Sequence, residues 1–277
     1  SRRQRQMCIR DRYIYFVFLL CCAVNLLLTS CVRQKYVVMD MVHHNPGEAM
    51  TESKFLDPSF LKKNEYGAKV FFLFEAAQFG IDWKSFDPSL FPDTTEAGRW
   101  VAEKAEIIHK KYDAAKKEDL QVYCMLDMLV LPSLLVEKHR TELTNEQGKL
   151  DISKPYTQLC IRELMKEMFE TFPQLDGLVI RTGETYLHDA PYYVGNHPVQ
   201  NGMYDHITLI NLLREEVCER RNKKLFYRTW DMGQLHSIPK YYLSVTDSIE
   251  PHPNLYFSIK HTMTDFWRSA ITDPDMN

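Results

Sequence analysis

The chain has 277 residues, 45% of them hydrophobic and 26% charged, with a formal net charge of -3 at pH 7. That balance agrees with a globular domain and gives no electrostatic reason to expect nucleic acid as a partner. Of the seven cysteines, Cys8, Cys21, Cys22 and Cys31 fall near the start. Cys124, Cys160 and Cys218 each sit in an apolar pattern and read as small buried hydrophobes rather than a disulfide framework.

Ser1–Arg12 (SRRQRQMCIRDR) is basic without an amphipathic period, and is either an artefact or a charged n-region. Tyr13–Leu28 is an apolar h-region, too short and wrongly flanked to span a membrane comfortably. It runs into Leu28-Thr29-Ser30-Cys31, which matches a bacterial lipobox: a branched residue, two small ones, then the cysteine that is acylated. The expectation is a signal segment over 1–31, lipidation at Cys31 and a domain over 32–277 tethered to the bacterial cell envelope by lipid, periplasmic or on the outer-membrane surface. A plain secretory signal is the alternative.

From Lys35 onward strand and helix patterns alternate. Tyr36–Val42 is the first strand pattern and closes in His43-His44-Asn45-Pro46-Gly47-Glu48. Lys69–Phe74 is the second, followed by Glu75. Gly98–Lys117 places Val101, Ala105, Ile108, Tyr112 and Ala115 at helical spacing. Leu120–Leu126 is the third strand, ending at Asp127. Pro155–Phe172 reads as a helix through Leu159, Leu164, Met168 and Phe172. Leu178-Val179-Ile180, introduced by Asp176-Gly177, is a β-branched run typical of a strand buried on both faces. It breaks off into the polar Arg181-Thr182-Gly183-Glu184-Thr185-Tyr186. Asp205–Arg221 is another helix, with Ile207, Ile210, Leu213 and Val217 on one side. Lys224–Thr229 is the fifth strand and runs into Trp230-Asp231. Ile238–Ile249 reads as helical, and Asn254–Ile259 as the sixth strand, followed by Lys260, His261 and Asp265.

Repeated strand–helix units imply parallel strands and α/β architecture. No glycine-rich phosphate loop follows the first strand, and polar residues crowd the end of every strand. Both points favour a (β/α)8 TIM-type barrel over a Rossmann-like sheet. A complete barrel needs eight strands in roughly 250 residues. The expectation is therefore a barrel truncated after about six strands, in a fragment that is inactive and aggregation-prone because its strand edges are unpaired.

Active sites of such barrels lie at the C-terminal ends of the strands. The residues there are His43, His44, Asn45, Glu48, Glu75, Asp127, Arg181, Glu184, His188, Asp189, Arg228, Trp230, Asp231, Lys260, His261 and Asp265. Carboxylates, aromatics and cations without a nucleophile elbow suit sugar chemistry. Nothing points to a cofactor. His43 and His44 are adjacent, so on a strand they would face opposite ways and would not chelate one metal ion. Glycoside hydrolysis needs two carboxyl groups flanking the scissile bond, one of them protonated near neutral pH. Desolvation by an aromatic such as Tyr186 or Trp230 would keep that proton in place. Trp230 and Trp267 either stack on pyranose faces or pack the rim. Lys260 either pairs with a carboxylate or grips an anionic substrate group.

The stretches RTGET, FYRTWD and LYFSIKHTMTDFW resemble, in order and spacing, the barrel of family 67 glycoside hydrolases, the α-glucuronidases, over Leu175–Trp267. The resemblance implies a carbohydrate substrate bearing a uronate and an inverting mechanism. It implies Glu184 as general acid, Asp265 as one of the carboxylates that activate water, and Lys260 and Arg228 as holders of the uronate carboxylate. His43, His44, Asn45, Glu75, Asp127, Arg181, His188, Trp230, Asp231 and His261 are further candidates for substrate contact. That family's glutamate on the seventh strand and its N-terminal β-domain have no counterpart here. A retaining hexosaminidase-like barrel would want adjacent acidic residues after the fourth strand, which Gly183-Glu184-Thr185 does not provide. A non-catalytic glycan-binding lipoprotein would keep the tryptophans as a platform and leave the two acids incidental.

Overall fold

The computed structural model describes residues 37–40, 53–72, 75–183, 185, 187, 189–229, 235 and 238–259, with the side chain of residue 40 outside that description. The chain divides between Ser1–Val37 and Val38–Asn277, and the elements below belong to the second unit.

In chain order the strands are β1 (Met39–Asp40), β2 (Ala68–Phe71), β3 (Gln121–Asp127), β4 (Val130–Pro132), β5 (Gly177–Arg181), β6 (Tyr193–Gly195), β7 (Lys224–Arg228) and β8 (Leu255–Ser258). Six of them form one sheet in the order β1-β2-β3-β5-β7-β8, every neighbouring pair parallel. Helical connections return the chain each time: α1 (Pro58–Lys63) after β1, α2 (Glu96–Lys117) after β2, then α3 (Ser133–Lys138), α4 (Arg140–Leu143) and α5 (Pro155–Thr171) before β5. After it come α6 (Met203–Leu213), which runs into a π turn over Arg214–Glu219, and, before β8, α7 (Pro239–Thr246). Sheet order that follows chain order is the wiring of a β/α barrel. A doubly wound sheet instead reverses its order at a switch point. The α/β barrel class expected from the alternating patterns is the class the chain has.

The helices form where the sequence supplies caps and an apolar stripe. Thr95 caps α2, its Oγ1 accepting the Gly98 N–H at 3.0 Å. The buried stripe of α2 is Val101, Ile108, Tyr112 and Ala115. In α5 it is Cys160, Ile161, Leu164, Met165 and Met168. Leu159, which the sequence pattern assigned to the core, is 42% exposed. Five residues before Leu164, it lies about 140° away around the helix.

The sheet buries both faces. Phe71, Val122, Cys124, Leu126, Leu178, Ile180, Leu225 and Tyr227 join the large core shared with the helices. Alternate residues Ala68, Val70, Tyr123, Met125 and Val179 form a second cluster on the opposite, inner face, with Met39, Phe72 and Phe226 packed on it. Cys124, Cys160 and Cys218 are free and buried, and burial pushes the Cys124 thiol up to about 12.

The entry into β5 explains its Asp-Gly. Asp176 Oδ2 accepts the Val122 N–H at 2.7 Å and pairs with Lys116. A Cβ on Gly177 would lie 2.1 Å from the Lys224 carbonyl oxygen, so only glycine fits between β5 and β7.

One feature was not expected from the sequence. β4 and β6 pair antiparallel as a small second sheet. Ser133 N–H donates to Tyr192 O at 2.8 Å and Asn196 N–H to Leu129 O at 3.1 Å. These contacts join the segment after β3 to the segment after β5.

Candidate active site at the strand ends

The register aligns Asp127 with Arg181, Arg181 with Arg228, and Arg228 with Ser258, across β3, β5, β7 and β8. Asp127 lies two residues beyond Met125, so it shares the inner face with Met125 and Tyr123. The row is thus the last inward-facing layer before the strands give way to loops. Arg181 grips Asp127 with two bonds, Nε donating to Oδ1 at 2.5 Å and Nη2 to Oδ2 at 2.8 Å. Asp127 is 8% exposed, and the Arg181 side chain 17%. A bidentate, charge-assisted pair with that little solvent is among the strongest polar contacts a protein makes. Arg228 Nη1 lies 3.9 Å from Met125 Sδ, which puts its guanidinium over the same inner face.

Beside this row is a small recess, partly open to solvent and with room for about one water molecule, lined by Phe72, Ala76, Gln78, Phe79, Met125, Asp127 and Arg181. Gln78 belongs to a 3-10 turn, Ala77–Gly80, beyond the end of β2. That turn is held firmly. Ala77 N–H donates to Cys124 Sγ at 3.1 Å, and Tyr193 Oη donates to Gln78 O at 3.4 Å. A Cβ on Gly80 would lie 2.8 Å from Phe172 Cζ and 3.0 Å from Ala105 Cα, so the turn presses directly on α2. Gln78 is only 3% exposed, yet among the described residues its Oε1 has no hydrogen-bond partner.

The loop leaving β5 is anchored from the other side. Gly183 has a φ of 119°, a backbone region in which side chains are strained. Its N–H donates to Nδ1 of His197 at 3.0 Å. An accepting Nδ1 leaves the proton of a neutral imidazole on Nε2. Burial, opposed by the Asp205 carboxylate, holds His197 below its ordinary value. The His197 carbonyl accepts from Asn196 Nδ2 at 2.9 Å and from Gln200 Nε2 at 2.6 Å. Asp205 Oδ2 then takes the Gln200 and Asn201 N–H groups, both at 2.6 Å.

Of the residues expected at the strand ends, Asp127, Arg181 and Arg228 stand together in the row. Glu75 is turned elsewhere: its carboxylate pairs with Lys111 of α2, and its carbonyl accepts from Tyr112 Oη at 2.9 Å. The long lysine reaching in from the helix layer draws that carboxylate away from the inner face. Asp189 is exposed. His43, His44, Asn45, Glu48, Glu184, His188, Trp230, Asp231, Lys260, His261 and Asp265 lie outside the described residues, as do Cys31 and Trp267. Among the described residues no group of three or more His, Cys, Asp or Glu side chains could hold a metal ion. Sequence reasoning missed Gln78 and His197. The available signal for Gln78 was a lone polar residue in the otherwise apolar Ala76-Ala77-Gln78-Phe79.

No protein-family model matches the chain, and no curated protein matches it. Among solved structures, the chain is similar to a GH138 enzyme targeting pectin rhamnogalacturonan II, at 14% identity and a TM-score of 0.44, over 82% of this chain and 25% of that one. It is similar to Dispersin B at 14% identity and a TM-score of 0.44, over 83% of this chain and 64% of that one. It is also similar to a family 5 glycoside hydrolase from Prevotella bryantii B14 at 11% identity and a TM-score of 0.40, over 81% of this chain and 61% of that one. The chain spans less than two thirds of the length of each.

Proposed function

We propose that the full-length protein is a glycoside hydrolase acting on uronate-bearing oligo- or polysaccharide, with inversion at the anomeric carbon, and that a lipid on Cys31 holds it at the bacterial envelope. Glu184 donates its carboxyl proton to the glycosidic oxygen as the C–O bond breaks. A water attacks the anomeric carbon from the opposite face and gives up a proton to Asp265.

The observation that carries this reading is the position of two strands. β5 and β8 run parallel in one sheet with β7 alone between them, so the chain leaves both at the same edge. Glu184 follows the end of β5 by three residues, and Asp265 follows the end of β8 by seven. Neighbouring strands lie about 4.8 Å apart, which separates the two strand ends by about 10 Å. The inner row brings Arg228 beside Arg181 at the same edge. Arg228, with Lys260, then takes the uronate carboxylate.

The test is proton NMR of the first product released from uronate-bearing xylo- and pectic oligosaccharides by the full-length protein. Uronate of inverted anomeric configuration is expected, and Glu184→Gln abolishes its release where the leaving group is poor. A retained configuration, or parental turnover by Glu184→Gln, overturns the assignment. Saccharide binding with no hydrolysis would make the protein a glycan-binding module instead.

A further inference from the structure

We infer that Asn201 is a modification site: the Asn201-Gly202 step deamidates spontaneously, and the carboxylate left at position 201 loosens the brace behind Gly183. The modification stands by itself; its effect on turnover rests on the hydrolase reading proposed above.

Asn201-Gly202 is the single Asn-Gly step in the chain. The backbone nitrogen after an asparagine can attack the side-chain carbonyl carbon, and a side chain on the attacking residue hinders that approach; glycine has none. The Gly202 nitrogen gives up its proton and bonds to Asn201 Cγ. The Cγ–Nδ2 bond breaks, and Nδ2 leaves as ammonia with that proton. Water then opens the cyclic imide at one of its two carbonyls. Opening at Cγ gives an ordinary aspartyl residue. Opening at the main-chain carbonyl gives an isoaspartyl residue, whose backbone runs through Cβ and is one carbon longer. Water is the sole co-reactant.

The local structure supplies what the reaction needs. Asn201 is exposed, so water reaches its amide. Gly202 precedes α6 with φ 66° and ψ −135°, a region that strains any residue with a side chain, so the turn itself keeps glycine there. Gln200 and Asn201 give their N–H groups to Asp205 Oδ2. Among the described residues no acceptor holds the N–H of Gly202, which leaves that nitrogen available as nucleophile. Asn201 Nδ2 stands 3.4 Å from Asp205 Oδ1, beyond the usual range of an N–H···O bond, so the amide is weakly restrained.

The same contacts carry the consequence inward. Asp205 is 2% exposed. Conversion replaces an amide donor beside it with a second carboxylate, and like charges repel most where little water screens them. The hold of Asp205 on the Gln200 N–H weakens. Gln200 Nε2 in turn donates to His197 O at 2.6 Å, and His197 Nδ1 accepts the Gly183 N–H at 3.0 Å. Exchange of NH2 for OH at position 201 thus passes through Asp205, Gln200 and His197 to the turn that leaves β5.

The test incubates the full-length protein at alkaline pH, where the Gly202 nitrogen loses its proton more readily. Peptide mass spectrometry then follows position 201, with fragmentation that separates aspartyl from isoaspartyl. Conversion there is expected to outpace that of every other asparagine. Asn201→Gln, whose extra methylene slows ring closure, should stay unmodified and keep its activity through the same incubation. Asn201→Asp, without incubation, should lower kcat by roughly tenfold to a hundredfold. In that variant the His197 imidazole, followed by NMR, should titrate nearer its ordinary value, because another carboxylate favours its charged form against the burial that lowers it. No conversion at position 201 overturns the site. An unmoved His197 titration, or parental kcat in Asn201→Asp, overturns its link to the brace. Conversion at 201 with a shifted His197, in a protein that hydrolyses nothing, keeps this inference and removes the hydrolase reading.

Discussion

The N–H of Gly183 donates to Nδ1 of His197 at 3.0 Å, across 14 positions of chain. This bond ties the first turn after β5 to the segment beyond β6, one residue before Glu184. His197 touches no substrate atom in the proposed reaction. In that proposal it is a positioning residue, acting through the turn that leads into Glu184.

The first prediction follows from that bond. His197→Ala in the full-length enzyme should lower kcat by roughly tenfold to a hundredfold, the cost of about an ångström of misplacement, with KM within about twofold. His197→Asn should recover most of the loss, because its Oδ1 occupies the place of Nδ1 and accepts the same N–H. Protonation converts Nδ1 from acceptor to donor, and His197 is held below its ordinary value. The parent should therefore lose kcat as pH falls below about 6.5, and the Asn variant should lack that part of the acid limb. Failure of Asn to rescue, with both variants folded, removes the positioning role.

His206 governs stability in acid. It is fully buried, shares a 2.7 Å hydrogen bond with Tyr227 Oη, and burial lowers it from 6.5 to about 4, with His197 adding to the effect. As pH falls, the unfolded chain takes up the proton first, so the folded state loses ground. The contribution is complete above about pH 6.5 and is lost progressively on the way down to about 4, for a total of about 3 kcal/mol. Urea midpoints measured across that range should fall with pH. His206→Asn, which does not titrate there, should flatten the slope. An unchanged slope in that variant would place the acid sensitivity elsewhere.

Much of this architecture is legible in the residues. The six parallel strands fall where β-branched and aromatic runs predict them, because a strand covered on both faces must be apolar throughout. What the residues conceal depends on partners remote in sequence. Glu75 stands at a strand end like Asp127 does, but Lys111, 36 positions on, takes its carboxylate to the helix side. β4 and β6 are three residues each and some 60 residues apart, too short to show a period by themselves. Gln78 is one amide in an apolar run, and only the packing of Gly80 against α2 shows that it is fixed at a recess.

Asp127 and Arg181 should show strong coupling. Arg181→Met leaves a carboxylate that is 8% exposed without its guanidinium, and such losses cost about 3–5 kcal/mol. Replacing both, Asp127→Leu with Arg181→Met, should return much of that stability, since the buried carboxylate is removed together with its guanidinium. A double-mutant cycle from urea unfolding gives the interaction energy directly. Additive single-variant losses would mean that the two side chains do not act as a unit.

Gly177→Ala tests how far the strand ends depend on the strand starts. The added Cβ would lie 2.1 Å from the Lys224 carbonyl oxygen and 2.8 Å from its carbon. Both are backbone atoms in the neighbouring strand, so no side chain can swing aside, and β5 must separate from β7 or shift along it. Overpacking typically costs about 1–3 kcal/mol, occasionally more, and a backbone clash belongs at the upper end. The register that pairs Gly177 with Lys224 also pairs Arg181 with Arg228, four residues on. A displacement at the start of β5 therefore carries to the row at its end. The expected result is a lower urea midpoint with an unchanged m-value, together with weaker binding of uronate although no rim residue has been altered. Parental stability in Gly177→Ala would mean that the two strands do not pack as closely as this register requires.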